Sequence, residues 1–166
     1  MSVQTVIKPK PTVSIETQGC KLNQADSGVL ALDFIEAGFD MVSPNKPADV
    51  LVVNTCTVTH VADRKARHAL RSARRLNPNA TIVATGCYAQ RDPETLRNLT
   101  EVDLVIGNTG KATLVKQVVE WKKESLVPCS TGTDSQILQL KSSRVRAMVK
   151  IQEGCNQVCA YCIVPK

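Results

Sequence analysis

The run Asp49-Val50-Leu51-Val52-Val53 carries no polar break after its first residue. A strand wetted on one side alternates apolar and polar residues. A strand covered on both faces reads as a continuous β-branched run, and such strands belong to sheets with helices on either side. The same theme recurs. Thr12-Val13-Ser14-Ile15-Glu16, Thr81-Ile82-Val83-Ala84 and Val102-Asp103-Leu104-Val105-Ile106 are further β-prone runs. Helical segments separate them. One runs from Asn23, a suitable N-cap, to about Ala37 before Gly38. A second covers Thr59 to Leu76 and stops at Asn77-Pro78; a third covers Pro93–Leu99, with proline tolerated in the first turn. A fourth, about Lys111 to Lys123, opens at Gly107-Asn108-Thr109-Gly110. Strands alternating with helices on short loops predict an α/β fold with a mostly parallel sheet and flanking helices, spanning residues 12–124.

Residues 125–143 are polar and poorly periodic, as in a linker. Arg144-Val-Arg-Ala-Met-Val-Lys-Ile151 then alternates with period two and predicts a new strand, so residues 144–166 begin a second domain. Its turn holds Cys155-Asn-Gln-Val-Cys159-Ala-Tyr-Cys162, a C-x3-C-x2-C spacing. Cubane iron–sulfur clusters take thiolate ligands, and three thiolates leave one iron open. Zinc is the rival reading, but structural zinc favours paired C-x2-C units or a nearby H-x3-H, and His60 and His68 lie far upstream. A thiol-redox site would use Cys159 and Cys162 alone. The three-cysteine spacing resembles that of the radical S-adenosylmethionine (SAM) enzymes, whose open iron binds SAM.

Cys20, Cys56 and Cys87 form a second set. Each follows a predicted strand on the loop into the next helix, after Gln18-Gly19, Asn54-Thr55 and Thr85-Gly86. In a parallel sheet these loops all emerge at the carboxyl edge, where ligands of open α/β folds bind. Small residues ahead of each thiol let the backbone approach a bulky group, and the helix N-termini behind them offer N–H groups to anionic sulfur. Buried, inert thiols are the alternative. Cys129, in the linker, fits neither set.

Gly19-Cys20-Lys-Leu-Asn23, Asn54-Thr-Cys56-Thr-Val-Thr59, Ala62-Asp-Arg-Lys65 and Thr85-Gly-Cys87-Tyr-Ala-Gln90 resemble the amino-terminal domain of the radical SAM methylthiotransferases. Glu153 to Pro165 resembles the start of their radical SAM domain, a partial TIM barrel of which only the first strand and cluster loop would be present. The resemblance implies two [4Fe-4S] clusters. One, on Cys155, Cys159 and Cys162, binds and cleaves SAM to a radical with an electron from a donor; the other, on Cys20, Cys56 and Cys87, carries the sulfur. Thr57-Val58-Thr59 and the arginines after it look most like the branch that places a methylthio group on C2 of N6-threonylcarbamoyladenosine at position 37 of tRNA. The isopentenyladenosine-tRNA and ribosomal-protein branches, and a non-catalytic iron–sulfur module, are the alternatives. By the same resemblance the chain is expected to be a fragment, inactive alone.

The helix from Ala62 to Leu76 gives a local hint of RNA. Ala62, Ala66, Ala69, Ala73 and Leu76 form an apolar stripe, with Arg64, Arg67, Arg71, Arg74 and Arg75 expected on the opposite side. A solvated basic face is the plainer reading. The net charge of +6 agrees with a polyanionic partner. The start has no apolar signal region, and no apolar run reaches bilayer length. Seven cysteines without an export signal suit a cytoplasmic, reducing setting and thiols used for metal or catalysis.

Overall fold

The computed structural model describes residues 10–44, 46–122, 149–152, 154, 155, 157, 159 and 160. Among these described residues, five strands, β1 (Thr12–Thr17), β2 (Asp40–Val42), β3 (Val50–Thr55), β4 (Thr81–Gly86) and β5 (Leu104–Ile106), form one sheet in the order β2-β1-β3-β4-β5. Every pairing is parallel, with Val13 opposite Val50, Val50 opposite Thr81 and Val83 opposite Leu104. Five α-helices, α1 (Lys21–Glu36), α2 (His60–Leu76), α3 (Cys87–Arg91), α4 (Pro93–Arg97) and α5 (Leu114–Trp121), and a 3-10 helix (Asn108–Thr113) connect and cover it.

The β-branched runs explain the layering. Every residue of β3 and β4 is buried. Val50, Val52 and Val83 pack under α1 and α5 with Leu30, Phe34, Leu114 and Val118. Leu51, Val53, Ile82 and Ala84 pack on the other face with Ala66, Leu70 and Ala73 of α2 and Leu96 of α4. Crossovers are right-handed. The step from β1 to β2 runs outward in one direction and the steps from β3 to β5 in the other, so their helices lie on opposite faces. Between β1 and β3 the direction reverses, which makes the carboxyl edge there a topological switch point.

Several local expectations change. Asn23 is not the cap of α1; Cys20 holds that position and Asn23 is buried within the first turn. The helix ends as Gly38 predicted. The N–H groups of Gly38 and Phe39 bond back to Ile35 and Phe34, and the Phe34 and Phe39 rings meet edge to face at 5.2 Å. That turn delivers the chain straight into β2, a three-residue edge strand too short to carry a periodic signal. Thr59 caps α2, its hydroxyl accepting from the Ala62 N–H. In α2 the buried stripe is Ala66, Ala69, Leu70 and Ala73; Leu76 is 62% exposed and Leu70 takes its place. The predicted helix over 111–123 opens instead with the 3-10 turn and becomes α-helical only at Leu114. Val149, Lys150 and Ile151 lie outside any helix or strand, while the rest of that predicted strand and the linker lie outside the described residues.

Candidate metal centre at the carboxyl edge of the sheet

Cys20, Cys56 and Cys87 occupy the loops that leave β1, β3 and β4, three neighbouring strands. Cys20 is exposed, Cys56 buried and Cys87 half-buried as the first residue of α3. Two glycines bring the loops together. Gly19 has φ +90°, and a Cβ there would lie 2.5 Å from the Cys56 Cβ and 2.7 Å from its Sγ. Gly86 has φ +97°, and a Cβ there would press on the Thr55 backbone, 2.7 Å from its nitrogen. Both positions need glycine for conformation and for space. The Cys20 and Cys87 loops therefore each rest directly against the Cys56 loop.

Asn23 braces all three. It is 1% exposed and donates through Nδ2 to the carbonyls of Gln18 (2.8 Å) and Thr55 (3.0 Å), while its Oδ1 faces the Cys87 Sγ at 3.9 Å. Asn54 returns the tie, its Nδ2 donating to the Asn23 carbonyl and to Ser27 Oγ. On the outer side, buried Asp63 accepts from Thr57 Oγ1 at 2.6 Å and pairs with Arg91 at 3.0 Å. This joins the Cys56 loop to α2 and to the end of α3. An asparagine within the first turn of a helix is a weak helix former, which was the available signal for Asn23. Nothing in the sequence linked Asp63 to Arg91.

Opposing electrostatic effects meet at Cys87. Burial pushes the Cys87 thiol pKa up, and the neighbouring Cys56 and Cys20 add to that; a hydrogen bond from Asn108 and the Lys111 charge oppose it. Both other thiols thus act on Cys87. Among the described residues, the buried side-chain polar atoms without a partner are Gln18 Oε1, Asn54 Oδ1, Thr85 Oγ1 and Asn108 Oδ1. They sit at or just beyond the ends of β1, β3, β4 and β5, in the shell around the cysteines. Buried polar groups are satisfied in the great majority of cases, so four orphans set this edge apart; three are amide oxygens, which accept and do not donate. No three His, Cys, Asp or Glu among the described residues close around one point as a single ion requires. A zinc ion would draw thiolates to about 3.8 Å from each other, given its ~2.3 Å bonds. A multi-iron cluster binds each thiolate at a different iron and spreads them wider. Three thiol side chains on neighbouring loops are the donor type that such clusters take. A cleft of about 340 Å³ opens beside Cys56, lined by Gln18, Gly19, Thr59, Val61, Ala62 and Lys65.

Of the second cysteine set, Cys155 is half-buried, with its sulfur accepting from the Gln157 N–H, and Cys159 is exposed. Cys162 and Cys129 lie outside the described residues.

The basic helix needs a correction. Arg67, Arg71 and Arg74 do not project freely from α2. Arg67 donates to the Tyr88 hydroxyl at 2.6 Å and lies over that ring. Arg74 binds the carbonyls of Pro78 and Ala80 and the Asp103 carboxylate at 2.7 Å. Arg71 sits 3.7 Å from Glu101. Arg67 and Arg74 each follow a buried alanine, so they flank the apolar stripe and their long stems fold back along it. The outward row is Arg64, Lys65, His68 and Arg75, with Arg71 beside it. No helix among the described residues is long and apolar enough to cross a membrane.

Residues 12–107 match the uncharacterized protein family UPF0004. The threonylcarbamoyladenosine tRNA methylthiotransferase MtaB of Aquifex aeolicus (strain VF5) is 42% identical over 160 residues, 92% of this chain and 39% of the relative. That of Bacillus subtilis (strain 168) is 35% identical over 161 residues, 93% of this chain and 36% of the relative. The tRNA-2-methylthio-N(6)-dimethylallyladenosine synthase of Methylacidiphilum infernorum (isolate V4) is 34% identical over 170 residues, 93% of this chain and 36% of the relative. The chain spans somewhat over a third of the length of these proteins.

Proposed function

The chain belongs to the protein family UPF0004, and from that premise we propose that it forms part of a cytoplasmic radical SAM methylthiotransferase acting on tRNA, with N6-threonylcarbamoyladenosine as its substrate. The observation that carries this reading is the carboxyl edge: three cysteine loops on neighbouring strands, brought together by Gly19, Gly86 and Asn23. Cys20, Cys56 and Cys87 would hold one [4Fe-4S] cluster and Cys155, Cys159 and Cys162 another, which together supply sulfur at an open iron and reductive cleavage of SAM.

The chain's own residues have definite tasks in this scheme. Gly19 and Gly86 keep the loops close; Asn23 and Asp63 fix their spacing. Asn108 and Lys111 offset the negative charge that gathers at Cys87. Lys65 lines the cleft beside Cys56, and it belongs to the exposed basic row of α2. A phosphate backbone following Arg75, His68 and Lys65 would be led to that cleft. This favours an RNA substrate over a protein one.

Mass spectrometry of tRNA nucleosides tests the assignment. Cells lacking the gene are complemented with the whole gene or with its Cys56→Ala variant. Methylthiolated threonylcarbamoyladenosine should return only with the first. The identity to a dimethylallyladenosine-tRNA enzyme supports a second reading, and return of the methylthiolated isopentenyl nucleoside instead would establish it.

A further inference from the structure

Asp26 lies in the second turn of α1, at the end that faces the cysteine loops, and its side chain is 7% exposed. Each carboxylate oxygen meets one lysine. Lys111 Nζ, from the 3-10 helix after β5, reaches Oδ2 at 2.6 Å; Lys150 Nζ reaches Oδ1 at 2.9 Å. One lysine would neutralise one carboxylate. The second comes from 124 residues further along the chain, and Cys155 follows it five residues later. The Lys150 side chain is itself only 30% exposed. Lys111 also acts on the Cys87 thiol, so the same triad touches the electrostatics of the first cysteine set and the chain entering the second.

We propose that Asp26 is a positioning residue: with Lys150 it latches the segment bearing Cys155 and Cys159 onto the carboxyl edge that bears Cys20, Cys56 and Cys87. The pair does for two remote segments what a hydrogen bond does for two strands, fixing one against the other at a stated point. Its shielded geometry distinguishes it from the exposed ion pairs that contribute little. The inference does not depend on a metal in either set or on the tRNA assignment.

The test uses the metal-free 166-residue chain. A zero-length carbodiimide coupling joins a carboxylate only to an amine in contact with it, and peptide mass spectrometry should find an Asp26–Lys150 amide. Timed alkylation with N-ethylmaleimide then reads the exposure of each cysteine. In Lys150→Met, Cys155 should be alkylated roughly fivefold faster, the order expected for losing one shielded pair, while Cys56 keeps its rate. Loss of a cation raises a thiol pKa and slows alkylation, so acceleration reports exposure and not charge. Lys111→Met should leave the Cys155 rate unchanged, since Lys150 keeps its partner. Asp26→Asn should behave as Lys150→Met does, and Asp26→Glu should restore the slower rate. Absence of the Asp26–Lys150 amide, or an unchanged Cys155 rate in Lys150→Met, overturns the proposal. So does equal acceleration at Cys56, which would mean general loosening of the fold. If Asp26→Asn does not fold, Lys150→Met and the coupling decide alone.

Discussion

Replacing Asn23 should damage the candidate metal centre more than replacing any single exposed group around it. Asn23→Ala removes the two donated bonds to the Gln18 and Thr55 carbonyls, at 2.8 and 3.0 Å. A buried acceptor left without its donor costs about 1–3 kcal/mol, so the pair amounts to about 2–6 kcal/mol against a total stability of order 5–15 kcal/mol. Asn23→Asp is the sharper probe. It keeps the size, but turns the donor into an oxygen aimed at two carbonyls in a place 1% exposed to water. Burial and the facing carbonyls would raise its folded pKa above the unfolded value. The folded form then binds a proton more tightly, so the deficit of Asn23→Asp relative to the natural chain should be largest at neutral pH. It should shrink as pH falls through the raised pKa, where the protonated acid can donate one bond again. Urea unfolding of metal-free chains at pH 7 and pH 5 measures this. A loss below about 1 kcal/mol for Asn23→Ala, or a deficit for Asn23→Asp that is flat with pH, would refute the view that Asn23 ties the three loops.

Other outcomes follow from the same geometry. Anaerobic reconstitution with iron and sulfide should give about eight irons per chain; Cys20→Ala, Cys56→Ala and Cys87→Ala together should halve that, with Cys129→Ala silent by iron assay. In the whole enzyme, Arg64, Lys65 and Arg75 changed to Gln should flatten the salt dependence of tRNA affinity by roughly two to three units of slope, a little under one per lost phosphate contact. Arg74→Gln should instead lower thermal stability, because its partners are Asp103 and two carbonyls of the same chain. Asp26 gives a pH effect of the opposite sign to that of Asn23→Asp. Burial raises its pKa, but the hydrogen bonds and charges of Lys111 and Lys150 outweigh burial and hold it below the ordinary value. Its contribution is present above the unfolded pKa of about 3.9 and lost as pH falls through the lower folded value. Unfolding curves below pH 4 should therefore be steeper in pH for the natural chain than for Asp26→Asn.

The strands were legible because their signal is local. A run such as Val50 to Val53 declares burial on both faces without reference to anything distant. Once four such runs alternate with helices, the topology leaves little choice about where the following loops emerge. That is why the sequence alone groups Cys20, Cys56 and Cys87, although 36 residues separate the first two. β2 was not legible because three residues on an edge are held by their neighbour and by the Phe34–Phe39 turn that delivers them, not by their own pattern. The bracing of the site was hidden for a related reason. Asn23 reads as a cap when only its sequence neighbours are considered; its buried role depends on Thr55 and Cys87, which are remote in sequence.

The arginines of α2 show where periodicity stops being informative. A helical wheel fixes the direction of each Cα–Cβ bond, and by that measure Arg67 and Arg74 stand only about 100° from the buried alanines they follow. A short polar residue there would face water. An arginine has four rotatable bonds and five donors, so at the flank of an apolar stripe it reaches back to whatever acceptors the fold provides. Here these are the Tyr88 hydroxyl on α3 and the Asp103 carboxylate just before β5. Both contacts lie on the face of the sheet that α2 covers. Arg67 ties α2 to α3, which begins with Cys87, while Arg74 ties α2 to the opposite, amino edge of the sheet, just before β4 and β5. The side chains left to meet a polyanion are then those at the crest of the helix, Arg64, Lys65, His68 and Arg75, and of these only Lys65 also lines the cleft beside Cys56. One helix thus divides its basic residues by angle: the flanks hold α2 to the rest of the fold, and the crest stays exposed to solvent.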